Sequence, residues 1–290
     1  MISMSNSNKN IDVVAGPEEP QLQLNLRQTE RRDAVTELVL SAGSMRIEDL
    51  VEIFGVSTMT IHRDLDALDS RGYLRKSRGS VTAVATSLFE SSTDYRARQH
   101  REDKQSVARA AFEFVEPGQA VILDDSSTGI YLAELLPQRQ PLTVITNFRR
   151  VLTQLVSNPG IALIALGGQY YHWCDAYMGN LTLDALKSLR ADVLFMSTPA
   201  IIDDICFHQH NEAALVKKAM FESAAKRILM VDHSKFSQRA LHRHIALLDF
   251  DAVIVDAHTS ADDISRLRDK GIQVIVAEPT SSVISARRSS

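Results

Sequence analysis

The sequence predicts an α/β domain built on a mostly parallel sheet, preceded by a small helical domain that closes with a hairpin. Three observations carry this. From about residue 102 onward, short apolar runs alternate with helical patterns, as expected of parallel strands joined by crossover helices. Residues 31–84 repeat apolar positions at helical spacing in three bursts, each stopped by a glycine. The 290 residues suffice for two domains of about 100–200 residues each.

Composition narrows the class further. Hydrophobic residues make up 44% of the chain, enough for real cores. The longest apolar stretches, such as Ile161–Leu166, have strand length and fall short of the ~18 residues of a membrane span. Two cysteines, Cys174 and Cys206, exclude a disulfide scaffold and fit a reducing compartment. The first residues lack a basic-then-apolar leader, so the expectation is a cytoplasmic chain with no membrane partner. A net charge of −4 argues against coating nucleic acid wholesale but leaves room for a local basic surface.

The elements follow in order. Residues 1–26, rich in Ser, Asn, Pro and Glu, read as a mobile tail, as do residues 280–290. Within 27–85, Ala34, Val35, Leu38, Val39 and Ala42 mark a first helix ending at Gly43. Ile47, Leu50, Val51 and Phe54 mark a second, ending at Gly55. Ser57 reads as the N-cap of a third. Ile61, Leu65 and Leu68 form its inner face and Gly72 its end. Tyr73–Lys76 and Val81–Val84 can then pair across a turn. Two helices joined by a tight turn and followed by a two-stranded wing make a winged helix-turn-helix.

Setting Ile61, Leu65 and Leu68 inward turns Met59, His62, Arg63, Asp66 and Ser70 outward. Ser57, Thr58 and Thr60 place hydroxyls and backbone N–H groups at the helix start, suited to phosphate. Arg63 has the reach for guanine or phosphate. Arg71, Arg75, Lys76 and Arg78 make the wing basic. The expected DNA contacts are therefore Ser57, Thr58, Met59, Thr60, His62, Arg63, Arg71, Arg75, Lys76 and Arg78. Charges of both signs balance over residues 27–85, so pattern alone also admits a small helical bundle with a solvated face.

The stretch from Val51 to Val81 resembles the N-terminal signature of DeoR-type bacterial transcriptional regulators. The match runs through Phe54, Val56, Ser57, Thr60, Ile61, Arg63, Asp64, Leu65, Leu68, Gly72, Leu74 and Arg75 at intact spacing. His62 stands where the family usually has a second Arg. Arg78-Gly79-Ser80-Val81 replaces the usual wing tip, and Arg46 sits where a Ser- or Thr-like cap is common. The resemblance implies a double-stranded DNA operator as partner.

Residues 86–101 are polar and weakly patterned and read as a linker, helical in its second half. Residues 102–279 carry the alternation: strands at Ala120–Leu123, Leu142–Thr146, Ile161–Leu166, Ala191–Met196, Arg227–Val231, Ala252–Val255 and Gln273–Ala277. Helical stretches near 102–114, 127–136, 148–156, 179–189, 211–225 and 261–270 lie between them. Ligands of open α/β sheets bind beyond the strands' carboxyl ends. Here those ends carry Asp124 to Thr128, Thr146-Asn147, Gly167-Gly168 and Asp232 to Lys235. Ser126, Ser127 and Thr128 at a helix start can hold an anion, with Lys235 as a cation on the same rim.

This half also resembles the family's sensor domain, which looks like the ribose-5-phosphate isomerase fold. The residues that carry over are Lys104, Asp124, Ser127, Thr128, Thr146, Asn147, Gly167, Gly168, Gly179, Glu212, Asp232, Ser234, Lys235 and Phe236. Ser126 replaces a usual glycine, and Ser197–Gln209 lacks the family's glycines. The resemblance spans about residues 29–256. It implies a repressor of carbohydrate uptake or catabolism, assembled as a homodimer or homotetramer and modulated by a phosphorylated sugar or related metabolite, with no cofactor.

Two other classes stay open at this level. An isomerase-like enzyme would use Glu212 or Asp124 as its base. A metal-responsive regulator would draw on Cys206, His208 and His210, which share a face if extended, or on His172 and Cys174. Their spacing is not that of a metal motif, so no metal ligand is assigned. His242 and His244 read as surface histidines.

Overall fold

A computed structural model describes residues 28–84 and 93–279. The expected tails, and the expected linker up to residue 92, lie outside the described residues. In the N-terminal part, α1 (Gln28–Ala42) leads into β1 (Ser44–Arg46), α2 (Ile47–Phe54) and α3 (Thr58–Ser70), then β2 (Leu74–Ser77) and β3 (Ser80–Ala83). The strands form an antiparallel sheet in the order β1-β3-β2. β1 is the strand that sequence reading did not anticipate. Val35, Val39, Leu50, Ile61, Leu65 and Val81 are fully buried and make this core. Gly55 ends α2 in a left-handed conformation, which only glycine adopts at little cost. Ser57 then caps α3 by accepting the Thr60 N–H.

The second part opens with α4 (Thr93–Arg98) and α5 (Arg101–Phe112). Then follow β4 (Ala120–Leu123), α6 (Ser127–Leu135), β5 (Leu142–Thr146), α7 (Arg149–Leu155) and β6 (Ile161–Ala165). β7 (Gln169–Tyr171) and β8 (Ala176–Met178) pair as a hairpin before α8 (Asn180–Lys187) and β9 (Ala191–Met196). Next come β10 (Ala200–Ile202), β11 (Ile205–His208), α9 (Asn211–Glu222) and β12 (Ala224–Val231). β13 (His242–Ala246), β14 (Ala252–Val255), α10 (Ala261–Asp269) and β15 (Val274–Val276) complete the chain.

Seven strands form one sheet, ordered β15-β14-β12-β9-β4-β5-β6, and every pairing is parallel. β14 is buried at all four positions, and β9 and β12 nearly so at their carboxyl halves. The chain builds outward from β4 to β5 and β6, then returns to lay β9 on β4's other side. That reversal opens a crevice at the carboxyl ends of β4 and β9. A second, antiparallel sheet, β10-β11-β13, stands apart from the first.

The described end of the expected linker is helical, as expected of its second half, and it packs against both domains. Tyr95 of α4 packs against the core of the N-terminal domain. Ala97, two residues on, belongs to the core of the α/β domain and receives the Tyr131 hydroxyl on its carbonyl at 2.6 Å. Among the described residues, no helix is long and apolar enough to cross a membrane.

Candidate DNA-reading head and effector cleft

α3 presents one polar face. Ser57, Thr58, Met59 and Arg63 are exposed and His62 is half-buried. The hydroxyls of Ser57 and Thr60 lie 2.8 Å apart, so both take part in the cap. Arg71, Arg75 and Arg78 are exposed around the wing. Lys76 differs from them: its Nζ lies 2.5 Å from Asp66 on α3, so it braces the wing against the helix.

Asp64 enters the sequence reading only as part of the signature, and its structural role was missed. It is fully buried and accepts Arg31 Nε and Arg32 Nε, each at 2.7 Å. A buried carboxylate needs such partners, because an unpaired one costs several kcal/mol. Its place on the inner stripe beside Ile61, Leu65 and Leu68 was the available signal. The pair locks α1 to α3.

In the α/β domain, a cavity of about 40 Å³ lies at the crevice. It is lined by Asp125, Ser126, Ser127 and Thr128 after β4, and by Ser197, Thr198 and Pro199 after β9. His208, Lys217, Lys235 and Arg96 of α4 complete the wall. Of the sequence-predicted effector residues, the structure thus brings Ser126, Ser127, Thr128 and Lys235 together. Ser126 caps α6 by accepting the Gly129 N–H at 3.1 Å.

Asp124 lies beneath the cavity and does not line it. Its Oδ2 accepts Lys217 Nζ at 2.5 Å and the Ser197 N–H at 2.8 Å, and its Oδ1 accepts the Ser126 N–H at 3.2 Å. Lys217 also lies 3.2 Å from Asp125. Burial works against the Lys217 ammonium, but Asp124 and Asp125 outweigh it and hold the proton above the usual lysine range. Lys217 was missed, although a lysine on the inner stripe with Ala213, Val216 and Met220 was legible.

Lys104 and Asp232 flank the cleft. Lys104 is buried and donates to the carbonyls of Arg96 and Gln99, tying α5 to the end of α4. Burial, with the charge of Lys235 beside it, lowers its ammonium to about 7 against the pull of Asp232. Burial tends to raise the Asp232 carboxyl, but Lys235 and Lys104 overcome this and hold it below the usual carboxylate range. Lys235 Nζ lies 3.5 Å from Asp232.

The remaining predicted residues lie outside the cavity wall. Thr146 is buried and its hydroxyl accepts the Phe148 N–H. Asn147 donates to the Tyr177 carbonyl at 2.9 Å. Gly167 offers its carbonyl to Thr182 Oγ1. Gly168 has a positional requirement: a Cβ there would meet Thr182 Oγ1 at 2.3 Å and the Met178 carbonyl at 2.5 Å. Glu212 is exposed in the first turn of α9. A larger open groove of about 700 Å³ runs past Asp203, Asp204, Phe236, Arg239, Arg266 and Lys270. It lies away from the β4–β9 crevice, and Arg266 and Lys270 are both paired with Asp204.

The histidines also differ from expectation. Strand β11 ends at His208, so His210 leaves the shared face and its N–H donates to His208 Nδ1 at 3.1 Å. Cys206 is buried, and burial pushes its thiol up to about 12. His172 is exposed whereas Cys174 is buried. His244, expected at the surface, has its Nδ1 buried, and burial with Lys217 nearby lowers its pKa to about 3.

Comparison with known proteins fits this geometry. The model for the DeoR-like helix-turn-helix domain matches residues 31–87, and that for the DeoR C terminal sensor domain matches residues 99–257. A protein of Escherichia coli O157:H7 named for repression of the aga operon is 31% identical over 251 residues, covering 86% of this chain and 93% of its own. The glycerol-3-phosphate regulon repressor of Escherichia coli K12 is 29% identical over 252 residues, covering 86% and 99%. The lactose phosphotransferase system repressor of Staphylococcus epidermidis is 28% identical over 234 residues, covering 80% and 93%. Among solved structures, ribose 5-phosphate isomerase A of Methanocaldococcus jannaschii aligns with a TM-score of 0.34 and 16% identity, over 46% of this chain and 53% of its own. A reading helix locked to its domain, a sensor sheet behind it and matches across both halves lead to one conclusion: the chain belongs to the DeoR family and is a DNA-binding transcriptional regulator, not an enzyme.

Proposed function

We propose that this regulator represses genes of carbohydrate uptake or catabolism in the cytoplasm, and that a phosphorylated sugar or related metabolite releases it from DNA. The β4–β9 cleft carries this reading. It brings Ser126, Ser127 and Thr128 at the start of α6 into one cavity wall with Lys235, a set of residues suited to a phosphate. The relatives named for glycerol-3-phosphate and lactose regulation support the carbohydrate class.

The size of the cavity supports a switch. Its 40 Å³ holds about three waters, whereas a ligand pocket measures on the order of several hundred Å³. Binding therefore widens the cleft. Arg96 in its wall sits on α4 beside Tyr95, whose ring packs in the head. Widening displaces α4 and with it the head. A single α3 covers one half-site, so two heads from a homodimer or homotetramer read the operator.

The test combines genome-wide footprinting, to recover operator fragments, with calorimetry of a sugar-phosphate panel. Fluorescence anisotropy on those fragments, with and without each compound, reads the release. One phosphorylated sugar should bind and weaken the operator complex at least tenfold. Full operator binding that no sugar phosphate alters discards the effector half of the proposal and leaves the DNA half standing.

A further inference from the structure

We propose that His100, Asp103, His233 and His258 bind one first-row divalent transition cation, with zinc as the reference case, at the joint between α4 and α5. The four residues come from three separate places. His100 and Asp103 flank the start of α5, His233 follows β12, and His258 follows β14. Nothing in their local sequence links them.

Their donor atoms converge. His258 Nδ1 lies 2.8 Å from Asp103 Oδ1. On the other oxygen of Asp103, His100 Nδ1 lies at 3.7 Å and His233 Nδ1 at 4.0 Å. The donors of His100, Asp103 and His233 fall within 4.8 Å of one another, as do those of His233, Asp256 and His258. Tetrahedral bonds of about 2.0–2.1 Å place donors roughly 3.3 Å apart, so small side-chain rotations bring the set onto one ion. His258 is the most exposed member and has room for that rotation.

A second layer is in place. Asp256 is fully buried, accepts the backbone N–H groups of His233 and His258, each at 2.7 Å, and lies 2.9 Å from His233 Nδ1. The backbone contacts hold His233 and His258 in place, whereas the Asp256–His233 side-chain contact uses the same Nδ1 that faces Asp103 and gives way when that nitrogen takes the ion. His100 meanwhile adopts a left-handed backbone, φ 51°, which a non-glycine residue adopts at a cost. Three imidazoles with one carboxylate favour zinc or a neighbouring transition metal over magnesium or calcium, which prefer oxygen. A bound cation would fasten the α4–α5 joint to the ends of β12 and β14. This inference does not rest on the identity of the effector.

The test uses full-length, tag-free protein stripped with a chelator and titrated with cobalt(II) and then zinc(II). Calorimetry should give one ion per chain, and cobalt should show visible ligand-field bands that zinc removes. The thermal midpoint should rise with metal, since an ion bound only by the folded state stabilises it. His233→Ala should abolish binding. His100→Gln and His258→Gln should each weaken it about tenfold or more, and His210→Gln should leave it unchanged. Should His233→Ala lose its circular dichroism, the two Gln variants decide alone. No saturable uptake, or uptake that neither Gln variant alters, overturns the proposal.

Discussion

Replacing Lys217 with Met removes the cation from beneath the cleft and keeps most of the stem's packing. The side chains of Lys217, Asp124 and Asp125 are 4%, 0% and 5% exposed, so water cannot take over the lost role. Breaking a buried pair from one side costs about 3–5 kcal/mol. Asp124 keeps the N–H groups of Ser126 and Ser197, which places the expected loss near ~3 kcal/mol on that scale. That is a large part of a typical total of about 5–15 kcal/mol. Trp173, the only tryptophan in the chain, stacks on His210 with ring centroids 4.0 Å apart and reports on the sensor domain during urea unfolding. The midpoint should fall by about 1 M or more at an unchanged slope. Lys217→Met combined with Asp124→Asn should recover part of the loss, with a coupling of about 2 kcal/mol. A loss below about 1 kcal/mol, or strictly additive effects, refutes the reasoning that a buried charge pair sits under the cleft.

Arg63→Ala should cost about 1–3 kcal/mol of operator affinity in a gel-shift titration without moving the thermal midpoint; unchanged affinity removes Arg63 from the interface. Arg75→Ala with Arg78→Ala should flatten the slope of log K against log salt by up to ~1.8, and Lys76→Ala should add little because Asp66 already holds that lysine. An equal further drop from Lys76 would show that the brace opens on DNA. Lys235→Met should bind operator normally yet ignore the effector; a retained response places the anion site elsewhere in the cleft. Burial holds His208 well below its ordinary pKa and His244 at about 3, so the unfolded chain binds more protons below about pH 6.5. Stability is therefore full above that pH and is lost as pH falls, by up to about 1.4 kcal/mol per unit for each histidine. Unfolding midpoints measured between about pH 5 and 6.5 should flatten in His208→Gln/His244→Gln; an unchanged slope means other groups carry it.

The large sheet was legible because strands buried on both faces are written as short, nearly continuous apolar runs. All seven predicted runs, from Ala120–Leu123 to the one around Val274–Val276, are strands of it. The small sheet was not, since β13 reads His-Arg-His-Ile-Ala, and β10 has only three residues. Their pairing depends on partners far along the chain. The same distance hid the chemistry of the cleft. Ser126 to Thr128 and Lys235 announce themselves as polar strand ends, but Asp124 is claimed by Lys217, 93 residues away. Arg96 reaches the cleft from a segment whose helix was expected but whose packing was not, because six residues hold too few apolar positions to show what they face.

Adjacent residues of α3, about 100° apart around the helix, have unrelated duties. Arg63 faces solvent, and Asp64 faces Arg31 and Arg32. The head's rigidity thus depends on one residue and its outward chemistry on the next. Retargeting this regulator to a different operator is then a matter of exchanging His62, Arg63 and their exposed neighbours, while the Asp64 lock keeps the helix seated through each exchange. A head divided in this way can be redirected stepwise, by single substitutions, without passing through an unfolded intermediate sequence.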